Sequence, residues 1–246
     1  MTLELVERGS GPTTLLIHGS AADASTWSIQ LASLSRELRM VAPQRRNRDS
    51  VETAADDIVE VIEALNDGPV LACASSFGAV ILLDVARRFP DRLRGMVLCE
   101  PPLAPSDYSP SVPLGFGCQF DRLVLEQSGE AAAEYFLRTV LTDTAYEALP
   151  TRWQKRACAL WREIRADSGA LARYAPRYAS LVDVAVPTLL LGGERSSKFY
   201  CATLDALEQV LPNVRRQTLR GAGHMMQADA HRGFNTAVLE FFGSLS

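Results

Sequence analysis

The chain has 246 residues, 47% of them hydrophobic and 22% charged, which suits one globular domain or a domain with an insert and excludes intrinsic disorder. Lys and Arg number 25 against 29 Asp and Glu, a net charge of −4, so no basic surplus exists to neutralise a nucleic-acid backbone. Met1 to Arg8 alternates apolar and charged residues where a secretory signal needs a basic start and an apolar run, and the longest apolar runs, such as Ala79 to Leu83, are far short of the roughly 18 residues that span a bilayer. These features predict a soluble, cytoplasmic protein with no nucleic-acid or membrane partner. A homodimer is left open.

Short apolar runs ending in small or polar residues alternate with stretches of helical period, the pattern of a parallel sheet covered on both faces by helices. Strands are predicted at Leu3 to Glu7, Thr14 to Ile17, Met40 to Ala42, Val70 to Ala74, Met96 to Cys99, Thr188 to Leu191 and Val214 to Leu219. Between them, Glu52 to Asn66 sets Ala55, Ile58, Val59, Ile62 and Leu65 on one face of a helix. Phe77 to Phe89 is apolar nearly all round until Arg87 and Arg88, as a helix beside a central strand must be, and Pro90 stops it. From Glu100 to Pro187 the alternation fails, and roughly 85 residues carry helical patterns without a convincing strand. This insert opens on a turn-rich stretch (Pro101, Pro102, Pro105, Pro110, Pro113, Gly115, Gly117), and four helices fit its remainder: Phe116 to Gln127, Glu130 to Leu141, Thr151 to Ala166 and Leu171 to Leu181. Its large side chains (Phe116, Phe120, Tyr135, Phe136, Trp153, Trp161, Tyr174, Tyr178) are expected mostly to pack the insert, with a few left to line an apolar pocket. A terminal helix holds Phe234, Val238, Phe241 and Phe242.

Five cysteines (Cys73, Cys99, Cys118, Cys158, Cys201) are odd in number and scattered, and three lie in apolar stretches, so they read as buried thiols. With only three histidines (His18, His224, His231), no metal site is expected.

The chemistry-bearing residues lie at strand ends. Ala74-Ser75-Ser76-Phe77-Gly78-Ala79 joins a strand to a helix with small residues two positions to either side of Ser76, which a strained turn exposing the serine hydroxyl requires. The helix that follows aims free N–H groups and a partial positive charge at any anion forming there. His18-Gly19-Ser20 ends the second strand, and its glycine lets the Ser20 N–H act as a second donor to an oxyanion beside that of Phe77. His18 itself reads as structural. Gly221-Ala222-Gly223-His224 follows the last strand, and His224 is the expected general base; His231, inside the terminal helix, is expected on the surface.

Taken in chain order, strand-His-Gly, the Ser76 turn, a helical insert and Gly-His after the last strand resemble the α/β-hydrolase superfamily over essentially the whole chain. The resemblance implies a mostly parallel central sheet of about seven strands flanked by helices, with a core at 1–100 and 186–246. A helical cap at 101–185 would enter between the sixth and seventh strands of the family order. It also implies a cofactor-free Ser-acid-His triad with an oxyanion hole, acting on a small-molecule substrate, the acid lying between Ser and His in sequence. Family members usually carry that acid in a Gly-x-x-Asp turn after the penultimate strand, whereas Gly192-Gly193-Glu194-Arg195 puts Arg195 in the slot. Two glutamates can replace it: Glu194, one position early, and Glu100 at the end of the strand Met96 to Cys99, where some members carry the acid. Glu100 is favoured. A second departure is the basic run Gln44-Arg45-Arg46-Asn47-Arg48-Asp49-Ser50, expected to be solvated rather than to greet a substrate carboxylate. The implied reaction is hydrolysis of a carboxylic ester with an apolar group. Lactones, thioesters and carbon–carbon bonds of diketone-like substrates use the same groups, and a non-hydrolytic enzyme or a ligand receptor can keep the same fold.

Overall fold

The computed structural model describes residues 3–103, 115–174 and 178–245. Pro105, Pro110 and Pro113 lie outside the described residues, as does the side chain of Tyr178. Seven strands form one sheet: β1 (Leu5–Arg8), β2 (Thr13–Ile17), β3 (Arg39–Pro43), β4 (Val70–Ser75), β5 (Leu93–Cys99), β6 (Thr188–Gly193) and β7 (Val214–Leu219). They run in the order β1-β3-β2-β4-β5-β6-β7. β1 is antiparallel to β3 and every other pairing is parallel. The central strands β2, β4 and β6 are buried throughout and read as continuous apolar runs because helices cover both faces; the edges, β1 and β7, carry the polar residues.

The helices before the insert are α1 (Ser28–Ser33), α2 (Val51–Leu65) and α3 (Phe77–Arg88). Successive residues of β2 divide between two apolar clusters. Leu15 and Ile17 face α2 and α3, while Leu16 faces the other layer with Leu31 of α1. Asp84 of α3 is fully buried, and it is tolerated there because Arg87 (2.8 Å), Arg88 (2.6 Å) and the Tyr174 hydroxyl (3.0 Å) all reach its carboxylate.

The insert joins β5 to β6 in the chain's own count and contains α4 (Phe116–Glu126), α5 (Gly129–Leu141), α6 (Asp143–Glu147), α7 (Thr151–Ala159) and α8 (Trp161–Arg173). Two predicted helices are corrected. Thr151 to Ala166 is broken at Leu160, whose backbone turn lets Cys158 and Ile164 both enter the insert's own apolar cluster. Leu171 to Leu181 is not one helix, since α8 ends at Arg173 with Tyr174 extended and Pro176 following in sequence. α6 is short enough to escape periodicity. Most insert aromatics do pack internally: Phe120 is buried, and Phe116 stacks on Tyr135 (5.2 Å between centroids). Trp153 instead lies exposed beside Arg156. After β6 come α9 (Lys198–Val210) and, past β7, α10 (Met226–Asp229) and α11 (His231–Gly243).

The winding reverses between β2 and β4, which are neighbours in the sheet although β3 lies between them in sequence. At such a reversal the connections leave on opposite sides and open a crevice at the carboxyl ends of the two strands. His18-Gly19 leaves β2 there and Ser76 leaves β4.

Candidate active site

Ser76 occupies the turn between β4 and α3 with φ 52° and ψ −127°, a backbone conformation that an L residue adopts only under constraint. Its N–H donates to Cys99 O (2.8 Å), tying the turn to β5. Gly78 has no alternative: a Cβ there would stand 2.5 Å from His18 O and 2.6 Å from Ile17 O. A Cβ on Gly19 would lie 2.9 Å from that of Ser76, so the two loops touch at backbone range. The helical ladder of α3 starts with Ala79 N–H to Ser76 O (2.8 Å), which leaves the Phe77 N–H ahead of its first rung.

His224 and Glu100 come together. Glu100 is 1% exposed at the end of β5, and its Oε2 lies 2.6 Å from His224 Nδ1. Its Oε1 accepts from the Gly193 N–H (2.7 Å), so the carboxylate reaches over the end of β6, where Gly192 and Gly193 leave the room. A carboxylate accepts only, so Nδ1 carries the proton and Nε2 is left as the basic nitrogen. Glu194 does other work: its Oε2 accepts from the Gly221 N–H (2.7 Å), and with Arg195 N–H to Ala222 O (2.8 Å) and Gly223 N–H to Asp229 (3.0 Å) it fixes the loop that carries His224.

The loop after β2 is braced from behind. His18 is 2% exposed, and burial, followed by the charge of Arg45, lowers its pKa to about 3. It is therefore neutral. Arg45 N–H donates to His18 Nε2 (3.2 Å), which fixes the proton on Nδ1, and Nδ1 donates to Gly19 O (2.9 Å). The Arg45 guanidinium donates to His18 O (2.9 Å) and Gly19 O (3.0 Å) and lies over the Phe77 ring. With the Gly19 carbonyl so held, the Ser20 N–H of the same trans peptide must point the opposite way, away from Arg45.

The basic run is not solvated as expected. Arg45 forms a buried ion pair with Asp167 of α8 (2.9 Å; side chains 8% and 3% exposed), and Asp167 also accepts from the Ser20 hydroxyl (2.7 Å). Arg48 (2.5 Å) and Arg46 (3.6 Å) both reach Asp57 of α2. Sequence could not couple Arg45 to a residue 122 positions away. Arg45→Met should therefore leave Asp167 charged and unpaired and lower stability by about 3–5 kcal/mol, while adding Asp167→Leu should recover much of the loss. Urea unfolding of both variants reads the difference.

A cavity of about 370 Å³ opens between this loop and the insert, lined by His18, Ala21, Arg45, Leu160, Glu163 and Asp167 among others; Ser76 and His224 do not line it. Among the described residues no cluster of His, Cys, Asp and Glu could hold a metal ion, and no helix is long and apolar enough to cross a membrane.

Residues 14–237 match the model of the alpha/beta hydrolase family. The chain belongs to that family. The 2-hydroxy-6-oxo-2,4-heptadienoate hydrolase of Pseudomonas putida is 24% identical, over 96% of this chain and 91% of its own. Haloalkane dehalogenase 2 of Mycobacterium tuberculosis is 25% identical, over 98% and 91%. Among solved structures, a thermophilic esterase from Thermogutta terrifontis superposes with a TM-score of 0.83 at 21% identity, covering 99% of this chain and 93% of that one.

Within this hydrolase frame one residue of the site escaped the sequence reading. Tyr200, in the first turn of α9, is fully buried, and its hydroxyl lies 3.1 Å from His224 Nε2. Burial, followed by the Glu100 charge, pushes its pKa well above the ordinary phenol value, against a smaller downward pull from the Ser76 hydroxyl. No motif marks it, and only its place one turn beyond the end of β6 hints at a role. The expectation of buried thiols holds for Cys73, Cys99 and Cys158 and is corrected for Cys118 and Cys201, which are exposed on the helices that carry them.

Proposed function

We propose that this α/β hydrolase is a cofactor-independent serine hydrolase that cleaves the carboxylic ester, or a related acyl bond, of a small and largely apolar molecule. The observation that carries the reading is the 2.6 Å contact between Glu100 and His224 Nδ1, which leaves Nε2 as the basic nitrogen of the ring, while the strained Ser76 and Nε2 both meet the buried hydroxyl of Tyr200. In this mechanism Ser76 Oγ attacks the acyl carbon while His224 Nε2 takes its proton. The carbonyl oxygen becomes an oxyanion held by the N–H groups of Ser20 and Phe77. Collapse of the intermediate breaks the bond to the leaving alcohol, which takes the proton from His224. Water then repeats the sequence on the acyl-serine and frees the acid.

A serine nucleophile also bears on what is cleaved. Displacing a halide from an alkyl carbon would leave a serine ether that water does not hydrolyse, whereas an acyl-serine is an ester and turns over. Acyl chemistry therefore fits Ser76 better than dehalogenation. The likeness to a hydrolase of 2-hydroxy-6-oxo-2,4-heptadienoate supports a second reading, cleavage of a carbon–carbon bond of a diketone-like substrate by the same groups. The apolar preference rests on the insert, whose own cluster borders Ala21 of the loop after β2 and Met225 beside His224, which supports a role for it as a cap.

Incubation with a fluorophosphonate should add one phosphonyl group per chain, located at Ser76 by peptide mass, and kcat/KM for p-nitrophenyl esters should rise with acyl length before bulk limits it. An unlabelled Ser76 removes the hydrolase reading and supports a non-hydrolytic enzyme or a receptor. A flat chain-length series removes the apolar pocket.

A further inference from the structure

Tyr200 lies flat on the imidazole of His224, with ring centroids 4.2 Å apart and planes 10° from parallel. In so parallel a stack the phenol oxygen, 3.1 Å from Nε2, stands over the face of the imidazole rather than in its plane. The lone pair of Nε2 projects in that plane, so the contact is not a hydrogen bond to it, and the phenol leaves the lone pair open. The phenol itself is fully buried, with Phe199 packed at a tilt against it (4.0 Å between centroids), so it cannot swing away without opening the core.

Once His224 has taken the serine proton it is a cation. Glu100 meets that charge at the ring edge, through Nδ1. Tyr200 covers one face, and the face of an aromatic ring attracts a cation within about 6 Å, more strongly where water is excluded. We propose that Tyr200 is a further functional residue of the site, its ring face stabilising the imidazolium form of His224. The proposal rests on His224 being the general base. The charged groups against the imidazole and its loop are the same with or without the phenol: Glu100 at Nδ1 and Asp229 on the neighbouring Gly223 N–H; the Ser76 hydroxyl meets the phenol oxygen. If Tyr200 were only a filler, any apolar side chain of similar bulk would serve.

The test is a proton NMR titration of the imidazole C–H signals in the full chain, for wild type, Tyr200→Phe and Tyr200→Leu. Only three histidines contribute: His18, at about 3, does not titrate near neutral pH, and His231 is the internal control. Phe keeps the π face and Leu keeps the burial without it. The His224 midpoint should fall by about half a pH unit or more in Tyr200→Leu and stay within about 0.2 in Tyr200→Phe, with His231 unmoved in both. On a p-nitrophenyl ester, kcat should drop about 3- to 30-fold in Tyr200→Leu with KM nearly constant, and Tyr200→Phe, which loses only the hydroxyl, should lose less. An unmoved His224 midpoint in Tyr200→Leu overturns the proposal, as does a Tyr200→Phe variant that shifts as far as Tyr200→Leu. Should Tyr200→Leu not fold, Tyr200→Met makes the same comparison. Fluorophosphonate labelling of the wild type keeps the two readings apart. A labelled Ser76 with an unmoved midpoint rejects the stack alone, whereas an unlabelled Ser76 rejects the hydrolase reading whatever the titration gives.

Discussion

Ser76→Ala should abolish hydrolysis of a short p-nitrophenyl ester, with a fall in kcat of about 10⁶ and the fold intact. The lost oxygen is the proposed nucleophile, and alanine fits where serine stood, because the tight contacts of the turn are made by the backbone and by Gly78 and Gly19 rather than by Oγ. The strain at φ 52° is the same for both residues. His224→Ala should cost about as much, and the double variant should be no worse than either single one, since nucleophile and base act in one step. Stopped assays with matched circular dichroism decide it: a Ser76→Ala enzyme near wild type sinks the mechanism, and losses that multiply mean the two residues serve different steps.

Glu100→Gln comes next in size, with a kcat loss of at least about 10² and up to about 10⁴. The amide can still fill the space and accept from the Gly193 N–H, but it no longer carries the charge that holds the proton on Nδ1 and offsets the imidazolium. Glu194→Gln should keep most activity, because its partner is the Gly221 N–H and an amide oxygen can accept the same bond. Steady-state rates of the two variants, with melting temperatures beside them, give the answer. The reverse ranking would move the triad acid to Glu194, and two mild losses would leave Ser76 and His224 working without an acid.

What could be read from the sequence was what is local in it. The Ser76 turn needs a strand, two small neighbours and a helix within a dozen residues, and all of them are adjacent in the chain. The His224 loop is similarly short. Which glutamate meets His224 depends on how a side chain leaving β5 crosses the end of β6 to a loop that follows β7, and that contact follows from the sheet order and the glycines at 192 and 193. Charge patterning failed at Arg45 because a basic loop looks solvated until its buried partner is known. Periodicity failed at Leu160 and beyond Arg173 because it records which residues are apolar, not where the backbone turns. Tyr200 belongs to no motif at all, and its meaning lies entirely in the ring it touches.

The Arg45–Asp167 pair makes the two halves of the molecule mutually dependent as building blocks. One charge belongs to the loop layer of the sheet and the other to the insert, and the aspartate also holds the hydroxyl of Ser20. A foreign insert grafted on this sheet would bring no counter-charge unless it carried a carboxylate where α8 places Asp167, and Arg45 would otherwise have only the carbonyls of His18 and Gly19. The insert is thus not free to be exchanged alone: the residue matching position 167 has to travel with the core.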